Sequence, residues 1–159
     1  MSHLFFNMIH LDDDMENDRL GEVRKKIMSL RHINEDFRFS LIIFISSIEL
    51  SDKKIKTFLN FKDNKIAIGF IFRLVISNAF KYGVPTIYIQ QCLDYKKLYH
   101  DACKSKYIKR SEDELFRDKT RMETSYKNLI TATLQLIRSK NSRKEKISKV
   151  LEKIANKNN

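Results

Sequence analysis

The sequence predicts an all-α fold of about six helices: an N-terminal bundle around a central buried helix, 64–82, and a C-terminal helical hairpin, 112–139 and 142–157. Three observations predict it. There are only 3 Gly and 1 Pro in 159 residues, too few for the tight turns of a β-rich fold, which require a positive or fixed φ. Between 64 and 82 the polar or small residues Lys65, Gly69, Arg73, Ser77 and Lys81 fall four apart. That spacing makes one narrow stripe on a helix and no pattern on a strand. Two Ser-x-x-Glu boxes, Ser111 with Glu114 and Ser142 with Glu145, mark helix starts. An apolar fraction of 42% suffices for a core and excludes wholesale disorder.

In chain order, the acidic run Asp12, Asp13, Asp14, Glu16 and Asp18 reads as the capped, solvated start of a helix over about 12–32. Leu20, Val23, Ile27 and Leu30 form its apolar line. Asn34 can cap a second segment, 35–50. Its residues alternate like a strand at Phe37, Phe39, Leu41, Ile43 and Ile45, and also follow helical spacing at Phe37, Leu41, Phe44 and Ile48. Helix is preferred because no partner strand lies nearby, although the β-branched and aromatic content pulls toward strand. Ser51 caps a short helix carrying Ile55, Phe58 and Leu59. Helix 64–82 ends at Gly83, suited to a left-handed cap, with Pro85 just beyond.

Thr86 can cap a helix over about 86–109. Tyr88, Cys92, Tyr95, Tyr99 and Ala102 lie in its core-facing stripe, and Gln90, Asp94, Lys97, Asp101 and Lys104 lie opposite. Leu115, Met122, Tyr126, Leu129, Thr133 and Ile137 then recur near heptad spacing over 112–139. After a short loop, Ile147, Val150, Leu151 and Ile154 line the last helix. The expected organisation is a bundle over 1–110 and a basic hairpin over 111–159, which can pack together as one domain.

The charge is lopsided. Residues 1–80 hold 12 basic and 11 acidic side chains, whereas residues 81–159 hold 19 and 9. The excess of the +11 chain therefore lies in its second half, which suggests an anionic partner there. Tyr and Lys interleave between Lys81 and Arg110, as on surfaces that stack bases and meet phosphates. The expected function is a small, basic, non-enzymatic nucleic-acid-binding protein. The expected phosphate contacts are Lys96, Lys97, Lys104, Lys106, Lys109, Arg110, Arg138, Lys140, Arg143 and Lys144. The alternative is a helical interaction or assembly protein. It would dock Ile147, Val150, Leu151 and Ile154 into a partner, such as an acidic protein, or into a copy of itself as a homo-oligomer.

One local pattern, Ala79-x-x-x-Gly83-Val84-Pro85-x-x-x-Ile89-x-x-Cys92, resembles the helix-turn-helix of DNA-binding domains. Ala79 would let two helices cross closely, Gly83 would take the left-handed turn, and Ile89 and Cys92 would pack the second helix on the first. The resemblance places Thr86, Gln90, Gln91 and Asp94 on the exposed face, where glutamine can bond adenine in the major groove. The same stretch is also similar to the helix-to-strand step of α/β enzymes.

Enzyme chemistry finds little support. His3, His10, His32 and His100 show no ligand spacing, and no phosphate-binding or nucleophile motif is present. No cofactor, metal or catalytic residue is expected. Cys92 and Cys103 are too few for a disulfide framework, and the N-terminus has no basic run before an apolar one. Those features suggest an intracellular, reducing compartment, cytoplasm or nucleus. No 18-residue apolar window predicts a membrane span.

Overall fold

In the computed structural model of the chain, residues 18–105 and 111–157 are described. They form six α-helices and no strand: α1 (Asp18–Ser29), α2 (Glu35–Ser47), α3 (Asp52–Asn60), α4 (Asn64–Tyr82), α5 (Thr86–Lys104) and α6 (Glu112–Lys157). The expected start of α1 at 12–17 lies outside the described residues. The α/β alternative falls, because 65–76 and the segment after Pro85 are both helical.

Local chemistry starts most of these helices where the sequence indicates. The Asn34 side chain accepts the Asp36 N–H at 2.8 Å, and the Ser51 hydroxyl accepts the Lys54 N–H at 3.3 Å. Each satisfies a donor that has no partner within its helix. In α2 the buried apolar set is Phe37, Leu41, Ile42, Phe44 and Ile45, with Arg38 buried beside it, a helical set, so the strand-like alternation has no structural counterpart. At the end of α3 the Lys26 ammonium donates to the Phe58 carbonyl and, at 2.6 Å, to the Phe61 carbonyl. A cation there complements the negative end of the helix. α4 exposes Lys65, Arg73, Ser77 and Lys81, as the stripe predicts, together with Ile66 and Phe80 beside it. It closes at Gly83, whose φ of 84° is left-handed, and the Val84 N–H donates to the Ala79 carbonyl at 2.9 Å. One start differs. Thr86 is the first residue of α5 and makes no cap; Pro85 holds the cap position.

The main correction concerns the C-terminus. The expected hairpin of 112–139 and 142–157 is one continuous helix of 46 residues. Between 138 and 142 the chain reads Arg-Ser-Lys-Asn-Ser, without Gly or Pro to break the ladder. Once a helix is nucleated, each added residue gains one hydrogen bond for the one residue it fixes, whereas a nucleus fixes three for its first. A second start would need a new nucleus. Ser142 therefore sits in mid-helix, whereas Ser111 does cap, accepting the Glu114 N–H at 3.2 Å.

α6 packs against α2, α4 and α5, burying Met122, Tyr126, Leu129, Ile130, Thr133, Leu134 and Ile137. The Tyr126 ring lies 4.3 Å from that of Phe72, and Phe72 lies 5.8 Å from Phe37, so three aromatic side chains join α6, α4 and α2. Glu123, only 5% exposed, accepts the Asn34 N–H at 3.0 Å and has the Lys119 ammonium at 3.8 Å. Burial pushes its carboxyl above the usual range, against the pull of that hydrogen bond and of Lys119. Beyond Ile137, every residue from 138 to 157 is exposed.

Two predictions follow from these helix ends. Ser111→Ala should cost about 0.5–2 kcal/mol through lost capping, while Ser142→Ala should leave stability unchanged or slightly raised, since alanine is the better interior helix former. Chemical denaturation of both variants checks this. Glu123 has a folded pKa above its unfolded one, so its contribution is fullest below the unfolded pKa and is lost as pH rises through the folded value. Relative to Glu123→Gln, the wild type should therefore gain in Tm as pH is lowered from about 7 to about 4. A difference that stays constant or shifts the other way would overturn this assignment.

Candidate nucleic-acid interface

The directions of three helices place the basic residues. Phe72 meets Tyr126 and, farther along both helices, Tyr82 meets Lys140 with the ammonium 5.4 Å from the ring, so α4 and α6 run the same way. After the Gly83 turn α5 returns along α6, where the Cys92 thiol donates to the Ser125 carbonyl at 3.2 Å. Lys104 is twelve residues beyond Cys92, about 18 Å toward the start of α6. Arg143 lies eighteen residues beyond Ser125, about 27 Å the other way.

The phosphate-contact candidates thus form two zones. Lys97 and Lys104 are exposed on the outer face of α5, where Asp94 and Asp101 dilute their charge. Arg138, Lys140, Arg143 and Lys144 are exposed at the root of the projecting half of α6. Lys81 shares the Tyr82 ring with Lys140, at 5.5 Å. Lys96 is half-buried, with its ammonium 5.4 Å from the Phe72 ring; burial and then the nearby Arg73 lower its pKa. Lys106, Lys109 and Arg110 lie outside the described residues.

The packing positions of the helix-turn-helix pattern are filled as the resemblance implies. Ala79, Ile89 and Cys92 are buried and Gly83 is left-handed. Asn78, just before Ala79, is buried too and donates to the Leu74 carbonyl at 2.8 Å. Of the base-contact candidates, Thr86 is exposed and Gln90 donates to Asp94 at 2.9 Å. Gln91 instead lines a groove between α5 and α6.

That groove, about 510 Å³ in volume, was not visible in the sequence. Its walls carry Tyr88, Gln91 and Tyr95 from α5, and Arg121, Thr124 and Asn128 from α6. Of the three tyrosines expected to face the core, Tyr95 and Tyr99 pack half-buried against it, whereas Tyr88 is a correction: it is 56% exposed. The helical phase explains it. The buried line of α5 passes through Ile89 and Cys92, between which the Lys96 stem also falls, so Tyr88 and Tyr95 sit on its rim. Burial first, then the neighbouring Cys103 and Glu123, push the Tyr99 hydroxyl up to about 12. Tyr99 is therefore neutral at physiological pH.

The apolar candidates Ile147, Val150, Leu151 and Ile154 are all more than half exposed, and no described residue covers them. Cys92 and Cys103 are free thiols, the first buried and the second exposed. Among the described residues no group of three His, Cys, Asp or Glu is placed to hold a metal ion, and no helix is long and apolar enough to cross a membrane. Comparison of the chain with models of protein families, with curated proteins and with solved structures gave no match.

Proposed function

We propose that the protein is a non-catalytic nucleic-acid-binding protein whose main contact is the projecting half of α6. The observation that carries this reading is that residues 138–157 are exposed throughout and hold eight basic against two acidic side chains on one helix. At about 1.5 Å per residue the projection is about 30 Å long. Arg138, Lys140, Arg143, Lys144, Lys146, Lys149, Lys153 and Lys157 on such a rod can neutralise successive phosphates without displacing any part of the core. Lys97 and Lys104 form a secondary, weaker zone. Thr86 and Gln91 are the remaining candidates for base contact, since Gln90 already holds Asp94.

A second reading is favoured by one observation, the exposed line of Ile147, Val150, Leu151 and Ile154. Its three- and four-residue spacing suits a helix partner, either an acidic protein or a second copy. Two such projections side by side would bring like charges together, which counts against the second copy.

The test is the salt dependence of binding, followed by fluorescence anisotropy with duplex and single-stranded probes. Changing Lys144, Lys146, Lys149 and Lys153 to Gln should weaken binding to all sequences alike. It should also flatten the slope of log K against log salt by about 0.9 per lost phosphate contact on duplex DNA, or about 0.7 on a single strand. Ending the chain after Lys140 should leave the melting transition in place, because nothing beyond it is buried, and should remove most of the binding. Absence of binding by the full chain at about 50 mM salt would reject nucleic acid as the partner.

A further inference from the structure

The α5–α6 groove and the projecting helix lie along one line. At about 100° per residue, Arg121 and Asn128 in the groove and Lys146, Lys153 and Lys157 on the projection fall within about 20° of a common meridian of α6. All five are exposed. Ile147, Leu151 and Ile154 lie about 80–140° around the helix from it and Val150 about 40° from it, so the apolar line borders the basic lane. About 27 Å from Lys146 toward the start of α6, the same meridian enters a groove whose α5 wall includes the Tyr88 and Tyr95 rings. Phosphate contact alone does not account for that wall. Half-exposed rings, about two turns apart on a helix, with the Gln91 carboxamide between them and Arg121 and Asn128 across the groove, match the needs of an unpaired base: a face to stack on, and donors and acceptors for its edge. The Gln91, Arg121 and Asn128 side chains have no hydrogen bond or ion pair among the described residues, which leaves them available for that edge.

We infer that the groove between α5 and α6 is a base-stacking site for single-stranded nucleic acid, entered by a strand whose phosphates follow the basic lane of α6. Tyr88 and Tyr95 stack the bases, Gln91 and Asn128 meet their edges, and Arg121 holds the phosphate at the mouth. A duplex does not fit this arrangement, because its bases are already stacked and paired. The inference rests on the nucleic-acid reading above and adds the strandedness of the ligand. The chemistry required, an unpaired base on a phosphodiester chain, is common to DNA and RNA.

The chain has 6 Tyr and no Trp, so quenching of tyrosine emission that is lost in Tyr88→Leu and Tyr95→Leu reports stacking. An oligothymidylate and an oligouridylate of about 12 nucleotides, an abasic strand of the same length and a duplex of equal phosphate number are titrated into the full chain. The expected result is tighter binding of the based single strands than of the abasic strand or the duplex, with tyrosine quenching by the based strands alone. Tyr88→Leu and Tyr95→Leu should each lower single-strand affinity roughly fivefold to hundredfold and leave duplex affinity and the salt slope unchanged. Tyr88→Phe should retain stacking. Arg121→Gln, at an exposed position that cannot unfold the protein, should weaken single strands and flatten their salt slope by about 0.7. Equal binding of based and abasic strands, or tyrosine changes that alter nothing, would overturn the inference while leaving phosphate binding by the projection intact. No binding of any probe would overturn both.

Discussion

The buried face of α6 between Met122 and Ile137 is the contact on which α2, α4 and α5 depend. α2 reaches it through the Asn34 amide on Glu123 and the Phe37 ring behind Phe72; α4 through Phe72 on Tyr126; and α5 through Cys92 on the Ser125 carbonyl. Burial of side chains such as Leu129 and Ile130 is worth on the order of 1.5–3 kcal/mol each before entropy is set against it. Removing this face would leave α2, α4 and α5 with few contacts among themselves. The projection exists for the same reason. A helix held rigidly over its first half has its costly nucleus formed, so the second half extends into solvent with one hydrogen bond gained per residue.

Much of the fold was legible because its signals are local. The four-residue stripe of α4 encodes a helix with one wet face wherever that helix sits. Asn34, Ser51, Ser111 and Gly83 act on amides or carbonyls within a few residues, so their roles survive any tertiary arrangement. Ser142 shows the limit. The same Ser-x-x-Glu pattern is compatible with a helix interior, and only the continuity of the ladder through 138–142 decides which it is. The ambiguity of 35–50 was settled by packing, since Phe37, Leu41 and Phe44 are buried together, on a helix that packs against α1 and α6, only in helical phase.

The candidate site was less legible, for a geometric reason. A phase for α5 set by its tyrosines rather than by Ile89 is wrong by part of a turn, enough to move Tyr88 from core to rim and Lys96 from surface to the edge of the core. The groove joins residues about thirty positions apart on two helices, and no spacing rule within one helix announces it. The basic excess was visible in composition, but its division into an α5 zone and a projecting rod required the direction of each helix.

The projection carries a conflict that bears on its role. Along 138–157 the pairs Lys140–Lys144, Lys149–Lys153 and Lys153–Lys157 bring like charges together at i,i+4, and each opposes the helix by about 0.2–0.5 kcal/mol. Only Glu145 with Lys149 runs the other way at that spacing in the favourable order. Apart from the Lys140 ammonium 5.4 Å from the Tyr82 ring, no described tertiary contact offsets this repulsion, since nothing in the segment is buried. A polyanion laid along the lane relieves the Lys149–Lys153 and Lys153–Lys157 pairs, because each neutralised ammonium relieves its neighbours as well as binding its own phosphate. Binding and helix stability in this segment are therefore linked: whatever prefers the helical form of the projection also stabilises it, by an amount set by ligand concentration and affinity. An apolar partner on Ile147, Leu151 and Ile154 would leave the lysine repulsion in place. The electrostatics of the projection thus favour an anion along the lane over a neutral helix against the apolar line as the ligand that orders it.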